Sequence, residues 1–502
     1  MSDATCRPGA LAGHPKGLYV VSFTALWERF SFYTMRGIMT LYMTYVAFKA
    51  LGEKEAGAYA VAVYGAYLGF VYATPLLGGM LADRLLGQRR AIYIGGALMA
   101  LAQFLLAAHA WLVVRCEAPV ESLQWLFFLG LSLLSTGNGF FKPNISTMVG
   151  ALYETADTRR DTAFNLFYMG INIGALAASF SAGFAQKFGW ELGFLLAGAG
   201  MIVGMIIFAC GRKTIEGRGM PPDGASLLKV GRLGLPNGIL LLLGIAACIP
   251  LFAYLISRPG WVQNLVVIIA GPVLLYLLWE VTRGTREEAG RMIVILVLCG
   301  FSVVFWGFYE LAGSTITLFT QEVVDRNVLG MEVQAAFLAN FVNPLLVIGM
   351  CIPAAAVWVW LDRRRLEPSS PLKFVLGLGF LSLGFVMLLL GAKEAQAADT
   401  GKCAMIWLIL GFFFHTTGEL CLSPVGLSTI TKLSPARLVG LFMGVWFISS
   451  ALGNVLAPWV AGSAEGRPFD FVFTRIAVIT AVGAVVLLAL VPLLKRMMHG
   501  VK

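Results

Sequence analysis

The chain has 502 residues, 58% of them hydrophobic and only 13% charged, about half the charge of an ordinary soluble domain. Mean hydropathy is +0.80, and apolar runs of about 20 residues, long enough to cross a bilayer, recur from end to end. This excludes a soluble globular protein and predicts an all-α integral membrane protein. The runs do not alternate, which argues against a transmembrane β-barrel.

In chain order, residues 1–17 hold no apolar core before a small-residue cleavage site and read as a cytoplasmic lead, not a signal peptide. Breaking the apolar runs at charged or turn-rich points predicts fourteen spans: 18–48, 57–84, 91–114, 123–152, 162–186, 191–211, 236–257, 261–282, 292–321, 333–361, 372–392, 403–433, 435–464 and 470–496. Lys and Arg divide unevenly between alternate loops. One set carries 22, in 84–90, 159–160, 212–232, 283–291, 363–373, 432–437 and the C-terminal tail; the opposite set carries 9. The positive-inside rule then places the first set and both termini in the cytoplasm. The net charge of +10 is accounted for by topology, with no nucleic-acid partner.

The polar stretch 212–235 follows the sixth span and divides the chain. The seventh and eighth spans are almost wholly apolar and read as a lipid-facing hairpin, about 236–282, within an inserted segment 212–291. The remainder is an N-terminal six-helix bundle 18–211, a C-terminal six-helix bundle 292–496 and a cytoplasmic tail 497–502. The eight cysteines lack paired spacing, so neither a metal site nor a disulfide framework is indicated. Cys116 and Cys403 fall in loops on the outer side, where a disulfide is the alternative to the favoured reading of two half-buried free thiols.

Ionisable groups at bilayer depth are functional hypotheses by default. Six lie outside the loops: Glu28, Arg29, Arg36, Lys142, Glu310 and Glu419. In "WERFSFYTMR", positions 25, 28, 29, 32, 33 and 36 recur at helical spacing on one face. A polar stripe of Glu28, Arg29, Tyr33 and Arg36 with Phe32 therefore lines an interior; the competing reading is a helix–helix salt bridge. Lys142 precedes Pro143, which breaks the backbone ladder and frees a carbonyl. "GELCLSP" repeats that arrangement with Glu419, Ser423 and Pro424, and Asn343-Pro344 and Tyr72…Pro75 mark two more kinked spans. The three cations fall in the N-terminal half and two acids in the C-terminal half, the pattern suited to a zwitterion in a water-filled cleft. His415, one turn before Glu419, reads as a packed residue ahead of a proton relay. Trp306 and Trp446 lie well inside their spans and read as cavity lining. Asp83, in "GMLADRLLGQRR", is either a state-dependent latch or part of a basic anchor at the headgroups. No nucleophile–base pair, metal-ligand cluster or phosphate loop suggests an enzyme.

Taken together, "WERFSFYTMR", "GGMLADRLLGQRR", "GNGFFKPNISTMVG", "FNLFYMGINIG", "FWGFYELAG", "NPLL" and "GELCLSPVGLS" resemble the proton-dependent oligopeptide transporter family of the major facilitator superfamily. The resemblance covers essentially the whole chain, including the hairpin that bacterial members carry. It implies twelve core helices in two bundles plus that hairpin. It also implies proton-coupled uptake of di- and tripeptides by alternating access, no cofactor beyond the proton gradient, and a monomer in the bacterial inner membrane. Carried across residue by residue, Arg29 and Lys142 would take the peptide carboxylate, and Asn172, Tyr168, Tyr33 and Tyr72 would bond its backbone. Glu419 with Asn343 would hold the ammonium, supported by Ser423, and Trp306 and Trp446 would line side-chain pockets. Glu28, Glu310 and Glu419 would carry protons, with Arg36 and Glu310 as an outer gate. The chain departs from the family pattern at Ala25, where a coupling glutamate is usual, at Phe32 in place of tyrosine, and at Leu311 in place of glutamine. Weakened coupling, another zwitterionic or anionic cargo, or a binding-only form are the alternatives these departures leave.

Overall fold

The computed structural model describes residues 10–11, 13–153, 159–215, 217–222, 226–230, 234–435 and 438–499. Most of the expected lead, parts of the 212–235 linker and the last residues of the tail lie outside them.

Fourteen of the described helices have 20 or more residues: α1 Lys16–Tyr42, α2 Glu53–Leu81, α3 Gly87–Val114, α4 Val120–Ala151, α5 Arg159–Phe188, α6 Trp190–Cys210, α7 Asn237–Ile256, α8 Pro259–Arg283, α9 Arg286–Tyr309, α11 Ala335–Arg363, α12 Ser370–Ala397, α13 Ile406–Leu433, α14 Val439–Ala461 and α15 Phe469–Met497. A short helix, α10 Thr315–Glu322, follows α9. Eleven continuous helical stretches are long and apolar enough to cross a membrane, and one of them, Glu53–Val114, contains both α2 and α3. Neither α1 nor α4 is in that set; charged and polar residues interrupt the apolar sequence of both. Two short antiparallel pairs, Ala10–Leu11 with His14–Pro15 and Asn327–Val328 with Met331–Glu332, are the only paired strands among the described residues.

Contacts sort the chain into two compact units, one of residues up to Ile38 with Ala73–Ile256, the other of Met39–Tyr72 with Ser257 onward. In the first unit α3 packs on α4 and α6. α2 and α4 cross so closely that a Cβ on Gly78 would lie 2.0 Å from the Gly139 carbonyl oxygen, the small-residue contact by which membrane helices approach. α7 packs on α4, and the Ser132 hydroxyl donates to the Ile249 carbonyl at 2.5 Å.

In the second unit α12 packs on α13 and α15, and α9 on α14, around Phe305, Phe319, Phe374, Phe385 and Phe442, all essentially inaccessible. A capping box at Thr285 and Glu288 starts α9, each side chain meeting the other's backbone N–H. Residues 39–72 join this unit through Thr40, which donates to the Gly313 carbonyl at 2.7 Å, and Tyr59, which donates to the Ser257 carbonyl at 2.7 Å. α8 packs on α9 and α14, so the two arms of the expected hairpin belong to different units.

Two expectations need amending. The predicted span 292–321 is interrupted: α9 ends at Tyr309, a 3-10 turn runs Glu310–Gly313, and α10 restarts at Thr315. Ser314, at φ −134° and ψ −89°, is where the helical path is lost, and Thr40 and Thr317 take the carbonyls of Gly313 and Ala312 released there. Cys116 and Cys403 are both free thiols, but one is exposed and the other buried, because Cys403 is strapped by backbone bonds to Val323 and Asp325. The helices containing Pro75, Pro143 and Pro344 run through those prolines; the side chain of Pro424 lies outside the described residues.

Candidate functional site

In the first unit the charged stripe of α1 folds onto itself. Neighbours on a helix point roughly 100° apart and rarely meet. Even so, Arg29 donates from Nε to Glu28 Oε2 at 2.6 Å and from Nη2 to Oε1 at 2.5 Å. Glu28 is 1% exposed and Arg29 8%; at that depth a carboxylate needs a cation beside it. The Arg29 guanidinium also lies 4.9 Å from the Phe32 ring centre, and that of Arg36 5.5 Å from Tyr33. Phe32 and Tyr33 meet edge to face. The ion pair is thus within one helix, and each of the two arginines also gains the attraction of an aromatic face on the same helix.

Lys142 is half-buried on α4. Beside Pro143, Asn144 Nδ2 donates to the Phe140 carbonyl at 2.7 Å. Tyr168 and Asn172 lie one turn apart on α5, Tyr168 exposed, with Asn172 Nδ2 turned back to the Tyr168 carbonyl at 2.9 Å. Asp83 sits in a π-helical turn, Ala82–Leu86, between α2 and α3 and accepts from Gln88 Nε2 at 3.2 Å. Gly87 follows at φ +71°, a left-handed conformation that glycine adopts without strain. The same turn is strapped to the linker by the Arg89 N–H, which donates to the Gly219 carbonyl at 3.1 Å.

The second unit carries a denser network. Tyr309, the last residue of α9, donates to Glu419 Oε2 on α13. Asn343 Nδ2 on α11 donates to the Tyr309 hydroxyl at 2.8 Å, to Thr416 Oγ1 at 3.0 Å and, at 3.4 Å, to Glu419 Oε2. Trp306 packs edge-on against Tyr309 and Phe305 stacks on it. The indole Nε1 of Trp306 is buried with no hydrogen-bond partner among the described residues. Glu310, 6% exposed, sits at the break after α9 and accepts from the Tyr72 hydroxyl at 2.7 Å. Ser423 is half-buried one turn beyond Glu419. Trp446 is buried against Phe374.

Two of the residues singled out from sequence therefore meet partners that sequence did not single out: Glu419 meets Tyr309, and Asn343 meets Tyr309 and Thr416. Tyr309 is three residues after Trp306, and that spacing was the available signal. His415 is buried against Phe385, ring centres 4.6 Å apart, in keeping with a packed histidine. The tally of six intramembrane charges also omits Glu280, buried on α8 and accepting from Tyr276 at 3.2 Å, and Arg475, exposed on α15 over Phe471.

Bilayer-length helices in two units, one carrying Arg29, Arg36 and Lys142 with Glu28, the other the buried Glu310 at the break after α9 and the half-buried Glu419 on α13, form the pattern of a membrane transporter of the secondary type. Comparison with known proteins agrees and narrows the class. The model of the POT family matches residues 89–473. The chain is 32% identical to the peptide transporter YePEPT of Yersinia enterocolitica, an alignment covering 100% of this chain and 99% of that one. It is 31% identical to dipeptide and tripeptide permease A of Cronobacter turicensis, covering 99% and 97%. Among solved structures, a mutant of the peptide transporter POT in complex with alafosfalin superimposes with a TM-score of 0.82 at 32% identity, over 98% and 97% of the two chains. The chain belongs to the POT family of peptide transporters, within the major facilitator fold, and its relatives are transporters rather than enzymes.

Proposed function

We propose that this chain is a proton-coupled symporter that takes up di- and tripeptides by alternating access. It acts as a monomer in a bacterial inner membrane, with both termini in the cytoplasm. The observation that carries the reading is the network that holds the Glu419 carboxylate by Tyr309 and Asn343 while Arg29 and Lys142 stand in the other unit. A free peptide has one cationic and one anionic end, and these groups match them. Glu419 with Asn343 takes the ammonium; Arg29 and Lys142 take the carboxylate; Tyr33, Tyr72, Tyr168 and Asn172 bond the peptide backbone; Trp306 and Trp446 receive side chains, and Ser423 stabilises the Glu419 turn. The names of the relatives support this choice: one is a dipeptide and tripeptide permease, and a solved relative is a peptide transporter in complex with alafosfalin.

Coupling rests on Glu28, Glu310 and Glu419. Protonating any of these neutralises an acid and loosens its partner, Arg29 for Glu28 and Tyr72 for Glu310, with Arg36 and Glu310 acting as the outer gate and Asp83 as the inner latch. An inward potential adds about 2.3 kcal/mol per charge per 100 mV, so one proton per peptide is enough for appreciable accumulation. Ala25 removes one titratable group from α1, and coupling is correspondingly weaker than in relatives with a glutamate there. A zwitterion that is not a peptide is the second reading, supported by a solved relative at 25% identity and TM-score 0.79 in complex with 5-aminolevulinic acid.

The deciding experiment is uptake of a labelled dipeptide into proteoliposomes with and without an inward proton gradient, for this chain and for Ala25→Glu. Gradient-driven accumulation by both assigns coupling to Glu28, Glu310 and Glu419. Exchange alone by this chain, with accumulation by Ala25→Glu, assigns the missing coupling element to position 25. No dipeptide binding by either chain, with uptake of 5-aminolevulinic acid instead, replaces the peptide reading with the second one.

A further inference from the structure

The hairpin takes no part in the transport chemistry above, yet α7 walls a cavity of about 310 Å³ together with α2 and α4, wholly inside the first unit. Leu77 and Leu81 come from α2, Phe140 from α4, and Leu241, Ile245 and Phe252 from α7. The two hydroxyls on its wall are already engaged: Thr74 donates to the Ser135 carbonyl at 2.8 Å and Thr136 to the Ser132 carbonyl at 2.9 Å. Asn237 Nδ2, also on the lining, donates to the Ser226 carbonyl at 3.2 Å, which leaves the weak thiol donor of Cys248; hydrocarbon matches most of the surface. Leu77, at 55% exposure, marks the side on which the cavity opens between bilayer-length helices.

The lining runs along α7 from Asn237 to Phe252, about 22 Å at 1.5 Å per residue. That is close to one leaflet with its headgroup region. The Asn237 end is basic. The Asn237 N–H donates to the Lys229 carbonyl at 2.9 Å, and Arg84 directly precedes Leu85, another lining residue; both cationic side chains are exposed. The one acid on that turn, Asp83, is already engaged by Gln88. The positive end of the α7 dipole lies at the same place.

We propose that this groove holds one acyl chain of an anionic phospholipid, its headgroup phosphate placed at Lys229 and Arg84 by charge. The hairpin arm α7 is then the third wall of a lipid site, a role independent of the cargo. Gly244 is the tool for testing it: it lies on the lining and a Cβ there meets nothing within 4 Å, so a side chain can start at that position without a clash and take up space in the groove.

The full chain is reconstituted into bilayers of equal phosphatidylglycerol and phosphatidylcholine, extracted in mild detergent and weighed by native mass spectrometry. The wild-type chain retains one phosphatidylglycerol in preference to phosphatidylcholine. Gly244→Phe lowers that occupancy at least fivefold, and Arg84→Glu with Lys229→Glu abolishes the headgroup preference. Equal occupancy in wild type and Gly244→Phe, or no preference in the wild type, overturns the proposal. A second measurement needs no variant: phosphatidylglycerol with a diazirine on its acyl chain is photolysed in the same bilayers and the adducts are mapped. Cross-links concentrated on residues 237–252 and 74–85 support the site, and cross-links spread evenly over α7, α8 and α15 refute it.

Discussion

The Tyr309 hydroxyl bridges Asn343 and Glu419, accepting from the amide Nδ2 at 2.8 Å and donating to the carboxylate Oε2. A hydrogen bond to a charged group contributes about 1.5–3 kcal/mol, so the link to the Glu419 carboxylate is worth roughly tenfold or more in any equilibrium that depends on its position, and the neutral link to Asn343 less. Tyr309→Phe removes both links and keeps the ring stacked on Phe305. Dipeptide affinity, read by calorimetric titration of the purified chain, falls about tenfold. Asn343→Ala removes the bonds to Tyr309, Thr416 and Glu419 together and falls further. A Tyr309→Phe chain that binds within twofold of the wild type would show that the hydroxyl does not position the carboxylate.

Glu310 and Tyr72 make a separable test, because glutamine keeps the acceptor that the Tyr72 hydroxyl uses. Glu310→Gln therefore preserves the local contact and deletes only the titratable proton. Counterflow exchange of labelled dipeptide is retained, while accumulation driven by an inward proton gradient drops at least tenfold. Tyr72→Phe does the opposite kind of damage, leaving the acid and removing its donor at the interrupted end of α9. Accumulation by Glu310→Gln at the wild-type level would remove Glu310 from the coupling route.

The elements most legible in sequence were those written in a repeating pattern. The α1 stripe is periodic, and its buried Glu28 and Arg29 follow from helical spacing alone. Partners across elements were less legible, since nothing in the spacing of Tyr309 and Thr416 says that both meet Asn343. The break after Glu310 was hidden because the apolar run continues through Leu311 to Phe319, and hydropathy does not register a lost turn. The two hairpin arms were read as one lipid-facing element because both are uniformly apolar. Their assignment to different units follows from packing that composition does not encode, α7 against α4 and α8 against α9 and α14.

Cys403 offers a readout of folding outside the spans. Burial first, and then the Glu394 carboxylate nearby, push its thiol up to about 11. At pH 7.5 roughly one molecule in 3,000 carries the reactive thiolate, and the fraction rises tenfold for each pH unit up to that value. N-ethylmaleimide at pH 7.5 therefore modifies the exposed Cys116 within minutes and leaves Cys403 intact until the chain unfolds, as peptide mass mapping will record. Equal labelling of both cysteines in the folded chain would mean that the Val323–Asp325 strap around Cys403 is open in solution.

The contact of Gly78 with Gly139 predicts a steep local intolerance. A Cβ on Gly78 would meet the Gly139 carbonyl oxygen at 2.0 Å and its carbon at 2.4 Å, both backbone atoms that no rotamer change can move away. Relief requires α2 and α4 to separate along their whole crossing. Overpacking of a fitted core ordinarily costs about 1–3 kcal/mol, and rigid backbone on both sides puts Gly78→Ala at or above the upper end. Gly271→Ala is the matched control, because a Cβ on that α8 residue meets nothing within 4 Å and alanine is the better helix former. Thermal unfolding followed by tryptophan fluorescence in detergent shows a clear loss for Gly78→Ala and none for Gly271→Ala. If the two variants unfold together with the wild type, the close crossing of α2 and α4 does not exist in the folded protein.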